Sequence, residues 1–392
     1  MLLSGNLLSG FGLQMLSVAV SWDLYLQTRS AVVLGNVGFV QVAPFLLFAL
    51  PAGHFADRHD RRRIMIATQI LLIASSALLL TTSHSVALIY TCLFLTALSR
   101  AFQAPARVAS LPNVVPPDLL RNAITWNSSV MELATIGGPA IAGVLLASAG
   151  SRTVYGVQFA CATLTLVCYQ FLRLRTQAPG EPQYPPSGKP PAPTSGQVVE
   201  GIRFVWHDKL ILSAISLDLF AVLFGGATAL LPIYSVEILH TGARGLGWLR
   251  AAPSIGAISM ALLQSHSPKA KPAGKVLLWA VAGFGAATIV FGFSRSMWLS
   301  LAMLALTGAC DNISVVLRQS LVQTHTPDRL KGRVLAVQNI FISCSNQLGA
   351  VESGWTAAWF GAVTSVVGGG VATILIVTGF AASAAALRRW RQ

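Results

Sequence analysis

Gly53-His54-Phe55-Ala56-Asp57-Arg58-His59-Asp60-Arg61-Arg62-Arg63 separates two apolar runs, 32–52 and 64–83. Runs of ~20 apolar residues are the length a helix needs to cross the ~30 Å hydrocarbon core of a bilayer. Arginines crowded into the short gap between two such runs are what holds a loop on the cytoplasmic face of a membrane. The stretch therefore reads as the turn between two transmembrane helices.

Working outward, the pattern recurs. Candidate spans fall at 3–26, 32–52, 64–83, 86–105, 122–149, 153–173, 210–233, 244–264, 275–294, 297–318, 333–358 and 362–386. They are rich in Leu, Ala, Val and Ile and show no period-two alternation, which excludes a β-barrel. The expected fold is all-α and polytopic, with twelve transmembrane helices. Charge tests that count. If the chain starts in the cytoplasm and alternates sides, 22 of the 27 Lys and Arg fall on the cytoplasmic side. Only Arg29, Arg152, Arg244, Arg250 and Arg295 fall toward the outside. One span more or fewer would swap every later loop and destroy this positive-inside asymmetry. Both termini are thus expected in the cytoplasm of a multi-pass membrane protein.

Composition agrees. Charged residues make up 10% of the 392 and hydrophobic ones 54%, against ~25% charged in a soluble domain. That excludes a soluble enzyme, a disordered chain and a disulfide scaffold. The net charge of +14 does not indicate nucleic acid, because the positives sit in gaps between apolar blocks and form no basic stripe with interleaved aromatics. The cysteines, Cys92, Cys161, Cys168, Cys310 and Cys344, lie inside apolar blocks without metal-ligand spacing, so they are expected to be inert and no metal site is expected. The first apolar segment lacks a basic lead and a cleavage-like end, and is expected to be a retained span.

Thr176 to Gly196 carries Pro179, Pro182, Pro185, Pro186, Pro190, Pro191 and Pro193, which bars a helix and predicts an extended tether. Val198, Ile202, Val205 and Trp206 then recur at helical spacing, predicting a short interfacial helix; an extension of the seventh span is the alternative. The expected organisation is a six-helix bundle over 1–175, a linker with a short helix over 176–209, and a second six-helix bundle over 210–392. The halves echo each other. Ser110-Leu111 with Pro117-Asp118 and Leu120 returns as Ser320-Leu321 with Pro327-Asp328 and Leu330, each copy after the fourth span of its half. Repeats of this kind, with a site between them, are the plan of a transporter.

Charges inside spans are costly unless they face a cavity or a partner. Glu132 lies ~15 Å into the fifth span, Asp311 ~21 Å into the tenth and Asp218 ~12 Å into the seventh, at 1.5 Å per residue. Burial favours the neutral form of a carboxyl, so carboxyls at such depths are the candidates for proton coupling. Each also has a structural reading: Asp218 reaching the interface, Asp311 paired with Arg318, Glu132 paired with Arg100. Arg100, Arg250, Trp126 and Phe102 are candidates to line a cargo cavity. Pro44, Pro51, Pro139 and Pro253 break spans, and Gly368-Gly369-Gly370 invites close helix packing. In the opening stretch, Gly53 permits a tight helix end or a close contact, and Asp57 is placed to cap the third helix or to pair with an arginine. No GxxxxGK[ST] phosphate loop occurs, so an ATP-driven pump is not indicated.

With these residues in view, Gly53, Asp57, Arg58, Arg61 and Arg62 resemble the signature loop of the major facilitator superfamily. Gly138-Pro139 with Gly143 resembles the Gly-Pro motif of its antiporters. Arg318, Gln323, Pro327, Asp328, Gly332, Arg333, Asn346, Gly349, Glu352 and Gly354, with their neighbours, are similar to the enterobactin-exporter branch. Asp60 stands where many members carry Gly, and the loop near Ser265–Lys275 has lost the acidic residue. The resemblance implies an exporter that alternates between inward and outward openings, uses a proton gradient and no cofactor, and locks its cytoplasmic side through the position of Asp57. The expected partners are a small amphiphilic cargo, siderophore-like or drug-like, and membrane lipid, with no nucleic acid and a monomeric state. Lysolipid is an alternative cargo. A transporter-fold sensor or scaffold that moves nothing is an alternative of another class. An enzyme is not expected, for no catalytic constellation recurs at workable spacing.

Overall fold

The computed structural model describes residues 1–82, 85–111, 114–172, 195–266 and 272–390. The proline-rich part of the expected tether, 176–194, lies outside them. The described residues are helical almost throughout and contain no strand. By chain order the helices are α1 (Leu2–Thr28), α2 (Ala31–Arg58), α3 (Arg61–Thr82), α4 (Val86–Ser110) and α5 (Leu120–Gln170), then α6 (Ser195–His207) and α7 (Lys209–Gly225). The one-turn α8 (Leu231–Ile233), α9 (Gly242–Ser265), α10 (Ala273–Phe293), α11 (Met297–His325), α12 (Asp328–Phe360), α13 (Ala362–Ser383) and α14 (Ala385–Arg389) complete the chain.

Eleven of the described helical stretches are long and apolar enough to cross a membrane. One of them, Asn122–Gln170, has 49 residues, ~73 Å of helix at 1.5 Å per residue and more than twice the ~30 Å core. It breaks at Gly150, whose φ of 76° and ψ of 174° leave the helix. This backbone region favours glycine, because it has no Cβ to clash. The two arms of α5 are the fifth and sixth crossings, and the fold is the twelve-helix one. Gly361, at φ 88°, makes the matching break between α12 and α13, at nearly the offset of the sequence repeat.

The contacts divide the chain into two compact units. Unit 1 comprises Met1–Asp23 and Val40–Ser195; unit 2 comprises Leu24–Phe39 and Gly196–Gln392.

In unit 1, α3 packs on α4 and on α5. Polar side chains bridge these helices where the bilayer offers no partner. The Gln103 amide donates to Gln69 Oε1 at 3.0 Å, and Gln69 donates to the Ala162 carbonyl at 3.0 Å. Ser75 and Thr96 hydroxyls meet at 3.3 Å. Asn6 of α1 donates to Asn127 of α5 at 2.7 Å.

In unit 2, α9 and α11 touch backbone to backbone. A Cβ on Gly256 would lie 1.7 Å from the Ala305 carbonyl oxygen, and one on Gly308 would lie 1.8 Å from that of Pro253. Helix α6 is separate from α7. Asp208 is extended between them and its side chain accepts from the N–H groups of Leu210 and Ile211, at 2.9 and 3.1 Å. An N-cap there ends any continuous helix, so the sequence alternative of a lengthened seventh span does not hold. The Arg333 guanidinium of α12 donates to Glu200 of α6, and Val205 is buried against Ile211, Val322, Leu330 and Val334. Ile202 and Trp206 stay exposed. The apolar stripe read from the sequence is thus split, one residue anchoring the helix to unit 2 and two facing away.

Gly308→Val would drive a side chain into a carbonyl. Overpacking costs about 1–3 kcal/mol or more, so its melting temperature in detergent should fall by several degrees and its gel-filtration peak should broaden. Gly368→Ala, with nothing within 4 Å of a new Cβ, should elute and melt as the parent does.

Candidate transport site

The most deeply buried charges lie in unit 2. Asp218 on α7 is 6% exposed and Arg318 on α11 is 1% exposed. The two form an ion pair. Arg318 also reaches Ser314 Oγ, one turn back on its own helix, at 3.5 Å, while its Nε has no hydrogen-bond partner among the described residues. Taking an isolated charge out of water costs far more than a bilayer protein can spare, so each supplies the partner that the other needs. Asp311 is two turns from Arg318 on α11. It takes no part in the ion pair. It lines one small cavity with Asp218, Ser314 and Cys310, closed by Val281 and Phe284 of neighbouring helices. The cavity leaves about 10 Å³ for the centre of a water molecule, close to what a single water needs. A paired carboxyl, Asp218, and a carboxyl outside that pair, Asp311, therefore border one space of molecular-water size.

The sequence expectations meet this geometry unevenly. Arg318 pairs with Asp218 and not with Asp311, and Asp218 is buried rather than reaching an interface. Helical spacing placed Asp311 and Arg318 on one face, but α7 brings a closer carboxylate across. Glu132 is exposed on α5, and Arg100 is exposed on α4; no ion pair between them occurs among the described residues. Trp126 is exposed, and Arg250 on α9 is half-buried. Phe102 packs in an aromatic group with Phe48 and Phe55, both ring centroids 6.0 Å away.

The arginine-rich stretch is rearranged in one respect. Helix α2 continues to Arg58, so Gly53 and Asp57 sit inside it and not at a turn. Asp60 is the cap of α3: its side chain accepts from the Arg62 N–H at 2.8 Å. The capping role expected of Asp57 thus passes to Asp60. The side chains of Asp57 and Arg58 lie outside the described residues. Arg61 is half-buried. Arg62 donates to the carbonyls of Tyr169, at 3.3 Å, and Gln170. It therefore satisfies the last carbonyls of α5, where a cation is favoured by the helix dipole.

Gly138 lies against α1, where a Cβ would come 2.7 Å from Gln14. Pro139 is inside α5, and Gly143 is buried. At the head of α12, Lys331 lies 2.6 Å from Asp328 and holds that exposed carboxyl below its ordinary range. Pro327 and Gln323 are exposed, as is Gly332, which has open space around it. Asn346 donates to the Ile342 carbonyl at 2.8 Å. Gly349 lies against the backbone of Leu223, and Gly354 against that of Gly35. Glu352 is half-buried, next to Ser353, which donates to the Gly226 carbonyl at 3.0 Å.

Two sites fall to residues not singled out in the sequence as partners. In unit 1, Asp23 accepts from Tyr155, at 2.7 Å, and from Ser151. In unit 2, the Tyr25 hydroxyl donates to Glu237, and Arg29 lies 3.9 Å from the same carboxylate and 5.5 Å above the Tyr25 ring. Each pairing joins residues more than a hundred positions apart, so local spacing carries no sign of it. Around Glu237 the backbone is irregular. Tyr234–Ile238 form a π-helical turn, and Arg29 and His240, at φ 49° and 51°, are the non-glycine residues with positive φ among those described.

The whole chain, residues 1–392, matches the family described as transmembrane secretion effector. The chain belongs to that family of the major facilitator superfamily. It is a multi-pass membrane transporter. It is 26% identical over 369 residues to the multidrug efflux pump Tap of Mycolicibacterium fortuitum, covering 90% of this chain and 88% of that one. It is 24% identical over 384 residues to the enterobactin exporter EntS of Citrobacter koseri, covering 97% and 90%. Among solved structures, a bacterial homologue of the human lysosomal transporter Spinster, inward-facing and occupied, superposes with a TM-score of 0.79 at 15% identity, over 99% of this chain and 97% of that one. At that identity the likeness speaks to the fold alone. The resemblance read from the signature loop is thereby borne out.

Removing one member of a buried ion pair costs about 3–5 kcal/mol, because the other is left uncompensated. Arg318→Gln should therefore melt well below the parent. The double change Arg318→Gln with Asp218→Asn should recover most of the loss. Equal melting of single and double variants would show that the pair is not what holds α7 to α11.

Proposed function

We propose that this transporter is a proton-coupled exporter of amphiphilic small molecules that works by alternating access in the bacterial inner membrane. Its two halves are 1–175 and 210–392, tethered by 176–209, with both termini in the cytoplasm and a single chain as the working unit. The observation that carries the reading is the small cavity that Asp311 shares with Asp218, the partner of Arg318. A coupling site must change charge as access changes. With one guanidinium between two carboxyls, only one carboxylate is fully compensated at a time, so the second is where a proton is taken up and released. A proton arriving on Asp311 leaves the Asp218–Arg318 pair closed. Its departure leaves a carboxylate that competes for Arg318 and loosens the grip of α7 on α11.

The export direction and the cargo class are supported by the names of relatives at about a quarter identity, a multidrug efflux pump and an enterobactin exporter. Glu132, exposed on α5, suits contact with a cationic cargo better than residence as a proton carrier. Arg100 and Arg250 suit an anionic one, and Trp126 and Phe102 suit an aromatic one. Asp57 and the arginines around it close the cytoplasmic side, with Arg62 fixing that loop to the end of α5.

The test is uptake of a fluorescent amphiphile into inverted membrane vesicles, whose lumen takes the place of the outside, under an imposed pH gradient, acidic within. Parent vesicles should accelerate with the gradient. Asp311→Asn should move cargo down its own gradient and ignore the pH gradient. An unaltered response in Asp311→Asn would remove that residue from coupling, and a parent indifferent to the gradient would end the proton reading. A parent that moves no amphiphile at all would favour the sensor.

A further inference from the structure

Helix α6 has one covered face and one exposed face. The covered face rests on the ends of three spans. Val205 packs with Ile211 at the start of α7, Val322 near the end of α11, and Leu330 and Val334 at the start of α12. A Cβ on Gly201 would lie 3.1 Å from the Arg333 carbonyl oxygen, so the backbones of α6 and α12 nearly meet there. The Arg333 guanidinium donates to Glu200 beside that contact. What holds α6 therefore holds the head of α12. The ends of spans are also the level at which hydrocarbon gives way to headgroups.

On the exposed face, Ile202 and Trp206 are 41% and 67% exposed. They stand four residues apart, and so do the exposed Arg203 and His207. Four residues are about one turn, so the first pair forms an apolar edge and the second a basic edge beside it. Lys209, exposed on the first turn of α7, adds another charge. The acids at this end of unit 2 are engaged elsewhere. Glu200 is held by Arg333, Asp208 caps α7, and Asp328 pairs with Lys331. Arg203 and Lys209 enter no ion pair among the described residues. The exposed face thus carries positive charge with no acid of its own to offset it. Arg388 and Arg389 of α14, which packs on α7, extend that charge.

An apolar edge with cations alongside fits a helix lying in the plane of an anionic leaflet. The indole and the aliphatic chain sit among acyl carbons at the headgroup boundary, and the guanidinium and ammonium meet phosphate. The tether of this chain does not supply the missing counter-charge: between 176 and 194 it carries Glu181 and Lys189, which cancel. We propose that Ile202, Arg203, Trp206 and Lys209 form a docking face for anionic phospholipid headgroups, and that the bound lipid steadies the head of α12 through Glu200 and Arg333. A zwitterionic lipid brings the same phosphate but offsets it with its own ammonium, so this face distinguishes the two classes.

The test uses the purified full chain in phosphatidylcholine vesicles into which brominated phosphatidylglycerol or brominated phosphatidylcholine is titrated. Bromine quenches an indole at close range, and the fluorescence lost on Trp206→Phe gives the share that belongs to Trp206. That share should be half-quenched at a several-fold lower mole fraction of the anionic lipid than of the zwitterionic one. Arg203→Gln and Lys209→Gln, each measured with and without Trp206→Phe, should raise the anionic fraction required by about fivefold, the weight of one cation near an anionic surface. The zwitterionic value should not move, and Arg203→Lys, which keeps the charge, should match the parent. Equal quenching by the two lipids, or the parent's value in both neutral variants, would overturn the anionic site. Quenching of Trp206 by neither lipid would overturn the membrane assignment and leave the face to a soluble partner. The measurement needs neither cargo nor gradient, so its failure leaves the uptake result standing, and the reverse holds too.

Discussion

A guanidinium that is 1% exposed inside a bundle of apolar helices imposes a condition on everything around it. Hydrocarbon supplies no counter-charge and no water, so the chain must supply the partner. Arg318 obtains Asp218 from another helix, and this fixes α7 and α11 at ion-pair distance beside the apolar cluster that holds Ala214, Leu217, Leu317 and Leu321. The small seam Gly256–Ala305 and Gly308–Pro253 does the same for α9 and α11 by a different route. There the backbones meet because nothing projects between them, and dispersion replaces the hydrophobic drive that a bilayer does not provide.

The same condition is met differently elsewhere. Asp23 in unit 1 is held by two neutral hydroxyls, Tyr155 and Ser151, beside the break at Gly150. Neutral donors can satisfy a carboxylate without creating a second charge that also needs burial. Glu237 in unit 2 takes a phenol and a more distant guanidinium, on backbone that is strained at Arg29 and His240. Unfavourable φ values persist only where surrounding contacts over-determine them. Here both outliers flank one carboxylate.

The span count, the helical class and the superfamily were legible because each depends on composition along the chain: apolar runs of fixed length, arginines gathered on one side, Gly53 and Asp57 at a set spacing. Even the fifth and sixth spans, merged into one helix, were separable because the apolar run is too long for one crossing. Pairings were harder. Arg318 and Asp311 share a helix face, and one-dimensional spacing points to them, but Asp218 lies a hundred residues away and wins on distance. Asp57 looked like a cap because the sequence shows where a charge cluster begins and not where α2 stops. Helix ends are set by competing caps, and Asp60 has the better position.

The cavity that Asp311 shares with Asp218 has room for about one water. A carrier whose cargo and proton compete for one carboxylate can couple only cargoes that are cations. When the proton has a carboxyl that the cargo does not touch, the two ligands need not meet. Their coupling then resides in the conformational equilibrium, and each shifts it only by its differential affinity for the two states. Such an arrangement tolerates cargoes of unlike charge, because no cargo has to compete with the proton for its carboxyl. Breadth of cargo follows from keeping the two ligands on separate groups.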